Sequence, residues 1–174
     1  MHRHDLGHLV RRFFGSLRPG GPPPADDTWA VERMTPGEAA LWRRMSAADR
    51  RHAVVVARRV DVTLGRSATR PVLVAALLHD VGKIDSGFGP LGRAGATMAG
   101  MVGGHDVARR WRGRDGLVGR VGRYVCHDVI GAEMLAGVGS DALTIAWAGE
   151  HHLPPKRWTV APEIGAALKA ADDD

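Results

Sequence analysis

Apolar positions recur along this chain at spacings of three and four, the period of a helix with one buried face. Val72, Leu73, Ala76, Leu77 and Asp80 fall on one such face, which stays apolar until it ends in a carboxylate. Gly82 follows as the expected stop, because glycine readily takes the backbone conformation that ends a helix. Upstream, Thr35-Pro36-Gly37-Glu38 has the form of a capping box with proline at the first helical position. The helix it opens turns Leu41, Trp42 and Met45 inward. Ser46 with Asp49 repeats the device and predicts a second helix to about Leu64, with His52, Val55, Val56 and Val60 on one face. Thr69 stands where it can cap the helix that ends in Asp80.

The second half continues in the same period. His127 opens an amphipathic segment with Ile130, Met134 and Leu135. Beside it, Asp128 reads either as a partner of a ligand or as a charge favourable at a helix N-terminus. After Ser140-Asp141, Leu143, Ile145, Ala146 and Trp147 lead to Glu150-His151-His152, and Pro154-Pro155 stops the helix. Pro162 begins the last one, where Ile164, Leu168 and Asp172 are spaced by four. That spacing sets Asp172 apart from Asp173 and Asp174, which read as a solvated acidic end. The glycine-rich stretch Ser86–Gly104 reads as a loop and a short helix beside a site mouth. No strand-like alternation persists, so the expected class is all-α, about six to eight helices in an irregular bundle.

The N-terminal end differs. Residues 1–18 place Leu6, Leu9, Val10, Phe13, Phe14 and Leu17 on one face, with arginines elsewhere. This arm reads as a helix docked on the body, a membrane-surface anchor or a partner-binding helix. It is not a secretory signal, since charges interrupt its apolar part. Pro19-Gly20-Gly21-Pro22-Pro23-Pro24 reads as a linker with no helical future. The expected division is an arm and linker over residues 1–26 and one body over residues 27–174, large enough for a proper core.

Composition narrows the classes. No apolar run approaches the length of a membrane span. Cys126 is the only cysteine, which excludes a disulfide framework and points to a reducing cytoplasm. The net charge of +5 and a pI near 10.3 favour anionic partners such as nucleotides, nucleic acid or acidic lipid. The basic stretch Arg109–Arg123, with Trp111 inside it, is suited to phosphate backbones or is a solvated face. Lysine occurs only at Lys83, Lys156 and Lys169, so its presence in the turn after Asp80 is informative.

The candidate chemistry lies in nine histidines. An imidazole and a carboxylate at the end of a buried helix, His79-Asp80, are costly unless something satisfies them, and a divalent metal does so. His105-Asp106 is set aside, because glycines precede it and no apolar helix leads into it. The order His52, His79-Asp80, His127, His151-His152, Asp172 resembles the HD-domain superfamily of metal-dependent phosphohydrolases, over about residues 46–173. His52 in DRRHAVVVARRV, the dyad in LLHDVGK and Asp172 in LKAADDD match its basic ligand set. His127 in HDVIGAEML and the pair in EHHLPP resemble the further ligands of its binuclear branch, which includes the HD-GYP group.

The resemblance implies an all-α bundle that holds two divalent ions, Mn, Fe, Co, Ni, Zn or Mg. It implies Asp80 as the bridging ligand, His52, His79 and Asp172 on one ion, and His127 with His151 or His152 on the other, His151 the more favoured. Lys83 would stabilise charge on a phosphoryl group. The implied reaction is hydrolysis of a phosphate ester or anhydride, most simply of a nucleotide or dinucleotide, by metal-activated water. Nucleic acid is not the favoured partner. Two departures bear on the substrate. The GYP motif is absent after the paired histidine, and Ala48 stands where a third-metal carboxylate would lie one turn before His52. The alternative is a non-catalytic nucleotide- or nucleic-acid-binding protein on the same fold.

Overall fold

The computed structural model describes residues 20–88 and 108–173. Residues 1–18 and the pair His105-Asp106 lie outside the described residues, as does most of Ser86–Gly104. Among the described residues the structure is all-α, with no strand. Eight α-helices are bounded there: α1 (Pro24–Val31), α2 (Pro36–Arg44), α3 (Ala47–Leu64), α4 (Arg70–Leu78), α5 (Gly116–Val125), α6 (His127–Gly137), α7 (Ala142–Glu150) and α8 (Pro162–Asp173). A 3₁₀ turn over Val81–Ser86 follows α4. No helix among the described residues is long and apolar enough to cross a membrane.

The centre of the bundle is α4. Every residue from Val72 to Leu78 is buried, as expected of a helix with neighbours on all sides. It packs between α3 and α7, with α6 against α7 and α8 against α3. Leu77, Leu78, Val56, Val60, Trp147 and Leu168 share this core. The Thr144 hydroxyl donates to the carbonyl of Pro71 at 3.1 Å and ties α7 to the start of α4.

Local sequence explains the starts of α2 and α3. At α2 both halves of the capping box form: Glu38 N–H donates to Thr35 Oγ1 at 3.2 Å, and Thr35 N–H to Glu38 Oε2 at 2.8 Å. The same Glu38 oxygen receives Arg70 Nη2 at 2.7 Å, which joins α2 to α4. At α3 the Ser46 hydroxyl accepts from Asp49 N–H and donates to the Asp49 carboxylate, a cap without the reciprocal backbone bond.

Four expectations are corrected. Pro24 does not lie in a linker but is the first residue of α1, whose Ala30 is fully buried. Asp27 accepts from Trp42 Nε1 at 2.9 Å and from Arg50 at 3.1 Å, so the chain is bound to the body from that point. Thr69 is the N-cap of α4 by position, but its hydroxyl makes no capping bond. Val55 is 48% exposed, because Ala53-Val54-Val55-Val56 advances around the whole circumference of α3 and one of four must face out. Gly82 does not end α4, which stops at Leu78 with His79 as its C-cap. Gly82 instead allows close packing: a Cβ there would lie 2.0 Å from the His127 carbonyl oxygen and 2.6 Å from the Gly131 nitrogen.

Candidate metal centre

Seven side chains converge on the end of α4. His79 and Asp80 come from the residues just after that helix, His52 from α3, and Asp172 from the last turn of α8. His127 is the first residue of α6, and His151-His152 directly follow α7. All seven residues marked by the sequence order are therefore brought together. His79, Asp80, His127, His151 and Asp172 are buried, His52 is half-buried and His152 is the exposed member.

Three of the imidazoles are oriented by one local device. The last carbonyls of a helix lack partners within the helix. His79 Nδ1 donates to the Ala76 carbonyl at 2.9 Å, and His151 Nδ1 to the Ala148 carbonyl at 2.9 Å. His127 Nδ1 donates to the Tyr124 carbonyl at 2.8 Å, at the end of α5. Each acceptor lies three residues before its histidine. A carbonyl only accepts, so each Nδ1 carries a hydrogen, and each Nε2 is turned toward the centre.

Those Nε2 atoms gather around Asp80. One carboxylate oxygen, Oδ1, lies 3.2 Å from His127 Nε2 and 3.9 Å from His151 Nε2. The other, Oδ2, lies 3.4 Å from His79 Nε2 and 2.5 Å from Lys83 Nζ. Asp172 Oδ1 is bound to His52 Nε2 at 2.8 Å and stands 3.6 Å from His79 Nε2. His152 Nε2 is 3.1 Å from His127 Nε2. The buried Nε2 atoms of His79 and His151 have no hydrogen-bond partner among the described residues. A buried polar atom without a partner costs on the order of 1–3 kcal/mol, so two of them aimed at one carboxylate call for a ligand.

The ligand atoms form two groups, His52 with His79 and Asp80, and His127 with His151 and His152, each within 4.8 Å of one another. Asp80 touches both, through Oδ2 and Oδ1 respectively. A set of imidazoles and carboxylates around one bridging carboxylate fits two borderline or hard divalent ions.

The charges point the same way. Burial opposes ionisation of Asp80, yet Lys83 and His79 hold its carboxyl well below the usual range. Burial likewise opposes Asp172, and the hydrogen bond with His52 and the nearby His79 hold it below its ordinary value. Burial lowers His79, but the Asp80 and Asp172 carboxylates outweigh it and push the imidazole up to about 10. His151 goes the other way, held neutral by burial and by the neighbouring His152 and His79. The two carboxylates thus favour positive charge, which His79 carries as a second proton, while His151 stays a neutral donor.

Tyr124, Ala76 and Ala148 orient candidate ligands through their backbone carbonyls, and none was marked by composition or motif. The signal for them is positional: each stands three residues before a histidine at a helix end. Asp128 is buried, with Oδ1 unpartnered among the described residues, and is absent from both ligand groups. The basic stretch proves largely structural. Arg112 pairs with Glu133, Arg120 Nε donates to the Ser86 carbonyl and Arg123 Nε to the Asp85 carbonyl, which brace the 3₁₀ turn. Of its arginines, Arg109, Arg110 and Arg114 are exposed.

No protein-family model, curated protein or solved structure matches the chain.

Proposed function

We propose that this chain is a metal-dependent phosphohydrolase of the HD type, acting on a phosphate ester or anhydride of a nucleotide or dinucleotide. The observation that carries the reading is the convergence of three Nδ1-anchored imidazoles on Asp80, two of them with buried, unpartnered Nε2 atoms. His52, His79, Asp80 and Asp172 would hold one divalent ion, and Asp80, His127 and His151 or His152 the second. Bound there, the ions would neutralise phosphoryl charge and activate water.

The chain's own residues supply the rest. Asp80 is held ionised by its neighbours and is ready to bridge at neutral pH. Lys83 is a fixed cation on the 3₁₀ turn, its side chain only 14% exposed, placed to stabilise negative charge that grows on a phosphoryl oxygen. His152, exposed at the rim, is the ligand most open to exchange with substrate. No serine or cysteine nucleophile lies among the seven converging side chains, which suits direct attack by water.

The test is metal analysis of the purified protein, followed by a panel of phosphomonoesters, diesters and nucleotides with each divalent ion resupplied. Turnover that needs the metal supports the reading. Tightly held metal without turnover of any substrate would replace it with that of a nucleotide sensor.

A further inference from the structure

Two aromatic rings flank the metal centre on the α5 side. Tyr124 is the only tyrosine of the chain. Its carbonyl orients His127, and its ring stands beside that imidazole, with centroids 5.9 Å apart and planes tilted by 33°. Phe88 follows, edge-on to Tyr124 with centroids at 6.3 Å. Both rings are half-buried. Among the described residues, neither belongs to the two apolar core clusters. The Tyr124 hydroxyl has no hydrogen-bond partner among the described residues.

The position of Phe88 is built with several restraints. The 3₁₀ turn that begins after Asp80 and carries Lys83 ends at Gly87, with φ +61°, the left-handed region that favours glycine. The turn therefore reverses there and brings Phe88 back over α5. The fully buried Ser86 donates its hydroxyl to the Lys83 carbonyl at 2.8 Å and accepts from Phe88 N–H at 3.4 Å. Arg120, one helical turn before Tyr124, donates to the Ser86 and Gly87 carbonyls and lays its guanidinium over the Phe88 ring at 4.4 Å. One short turn thus fixes a metal-ligand candidate, a phosphate-binding cation and an aromatic ring in a rigid order.

Resting on the phosphohydrolase reading above, we propose that Phe88 and Tyr124 form a wall that receives the base of a nucleotide whose phosphate lies at Asp80 and Lys83. The wall makes the site selective for phosphates that carry an aromatic ring. The Tyr124 ring lies 5.9 Å from that of His127, whose Nε2 is 3.2 Å from Asp80 Oδ1, and Asp80 is paired with Lys83 through its other oxygen. That places the wall within one substrate's span of the phosphate end.

The probes are adenosine monophosphate and ribose phosphate, which share sugar and phosphate and differ by the base. Their dissociation constants are measured by calorimetry on the full chain, and on Phe88→Leu, Tyr124→Leu and Tyr124→Phe. Base stacking on an aromatic side chain is worth about 1–3 kcal/mol, so the base should tighten binding roughly 5- to 150-fold in the unaltered protein. Either leucine variant should lose most of that gain without weakening ribose phosphate, and Tyr124→Phe should keep it. Equal binding of the two probes by the unaltered protein overturns the proposal, as does binding of neither, so the result does not depend on how the variants fold. The outcomes also separate this proposal from the reading beneath it. Preference for the adenine compound without any hydrolysis would keep the wall and defeat the hydrolase. Hydrolysis of both compounds with equal KM and equal affinity would keep the hydrolase and defeat the wall.

Discussion

At the scale of residues, Asp80 is the pivot, because it touches both ligand groups and the only nearby lysine. Replacing it with alanine should abolish metal binding and hydrolysis together. Lys83→Ala leaves every ligand in place and should retain metal while turnover falls roughly 10²–10³-fold, the usual cost of losing one transition-state charge stabiliser. Lys83→Arg should rescue only part of it, since a guanidinium is larger and its donors are set in a fork. Metal content and rate, measured on the same three variants, check both expectations. A fully active Lys83→Ala protein would remove Lys83 from the mechanism. The seven converging residues were legible in the sequence through their order along the chain, together with their places on apolar helical faces or at helix ends. The orientation of the imidazoles was not, since it depends on which carbonyl lies within reach of Nδ1 after folding.

At the scale of elements, packing overrode some local signals and obeyed others. The capping box at Thr35 formed as read, whereas Thr69 holds the cap position without a capping bond. Thr35→Ala should therefore cost about 1 kcal/mol of stability, and Thr69→Ala less than about half of that. Denaturant unfolding of the two variants compares them directly. Gly82 was legible as special but for the wrong reason. Glycine at a helix end and glycine at a close contact look alike in sequence, and only the neighbour tells them apart. Here the neighbour is the first turn of α6, with the His127 carbonyl in the way of any Cβ. Gly82→Ala should push α6 off the 3₁₀ turn, lower the melting temperature by overpacking worth at least about 1–3 kcal/mol, and weaken metal binding through His127. Unchanged metal affinity in a destabilised protein would show that the glycine contact serves packing alone.

At the scale of the whole molecule, the all-α class followed from the helical period, and the helix that opens at Pro24 did not. A proline run reads as a break, yet a proline at the first helical position starts a helix, and Pro24 does so for α1. Truncation before Gly20 leaves every described contact in place. Truncation through Val31 removes buried Ala30 and the bonds of Asp27 to Trp42 and Arg50, and should lower the melting temperature sharply. The bundle as a whole holds three helix ends and two helix faces around one buried carboxylate, and the central claim is that this arrangement exists to bind metal. The most direct measurement is elemental analysis of the chain after chelator treatment and dialysis against single divalent ions, with Asp80→Ala beside it. The account predicts two bound ions per chain, one for each ligand group, and their loss in the variant. Retention of no more metal by the native chain than by Asp80→Ala, for every ion tried, would contradict it.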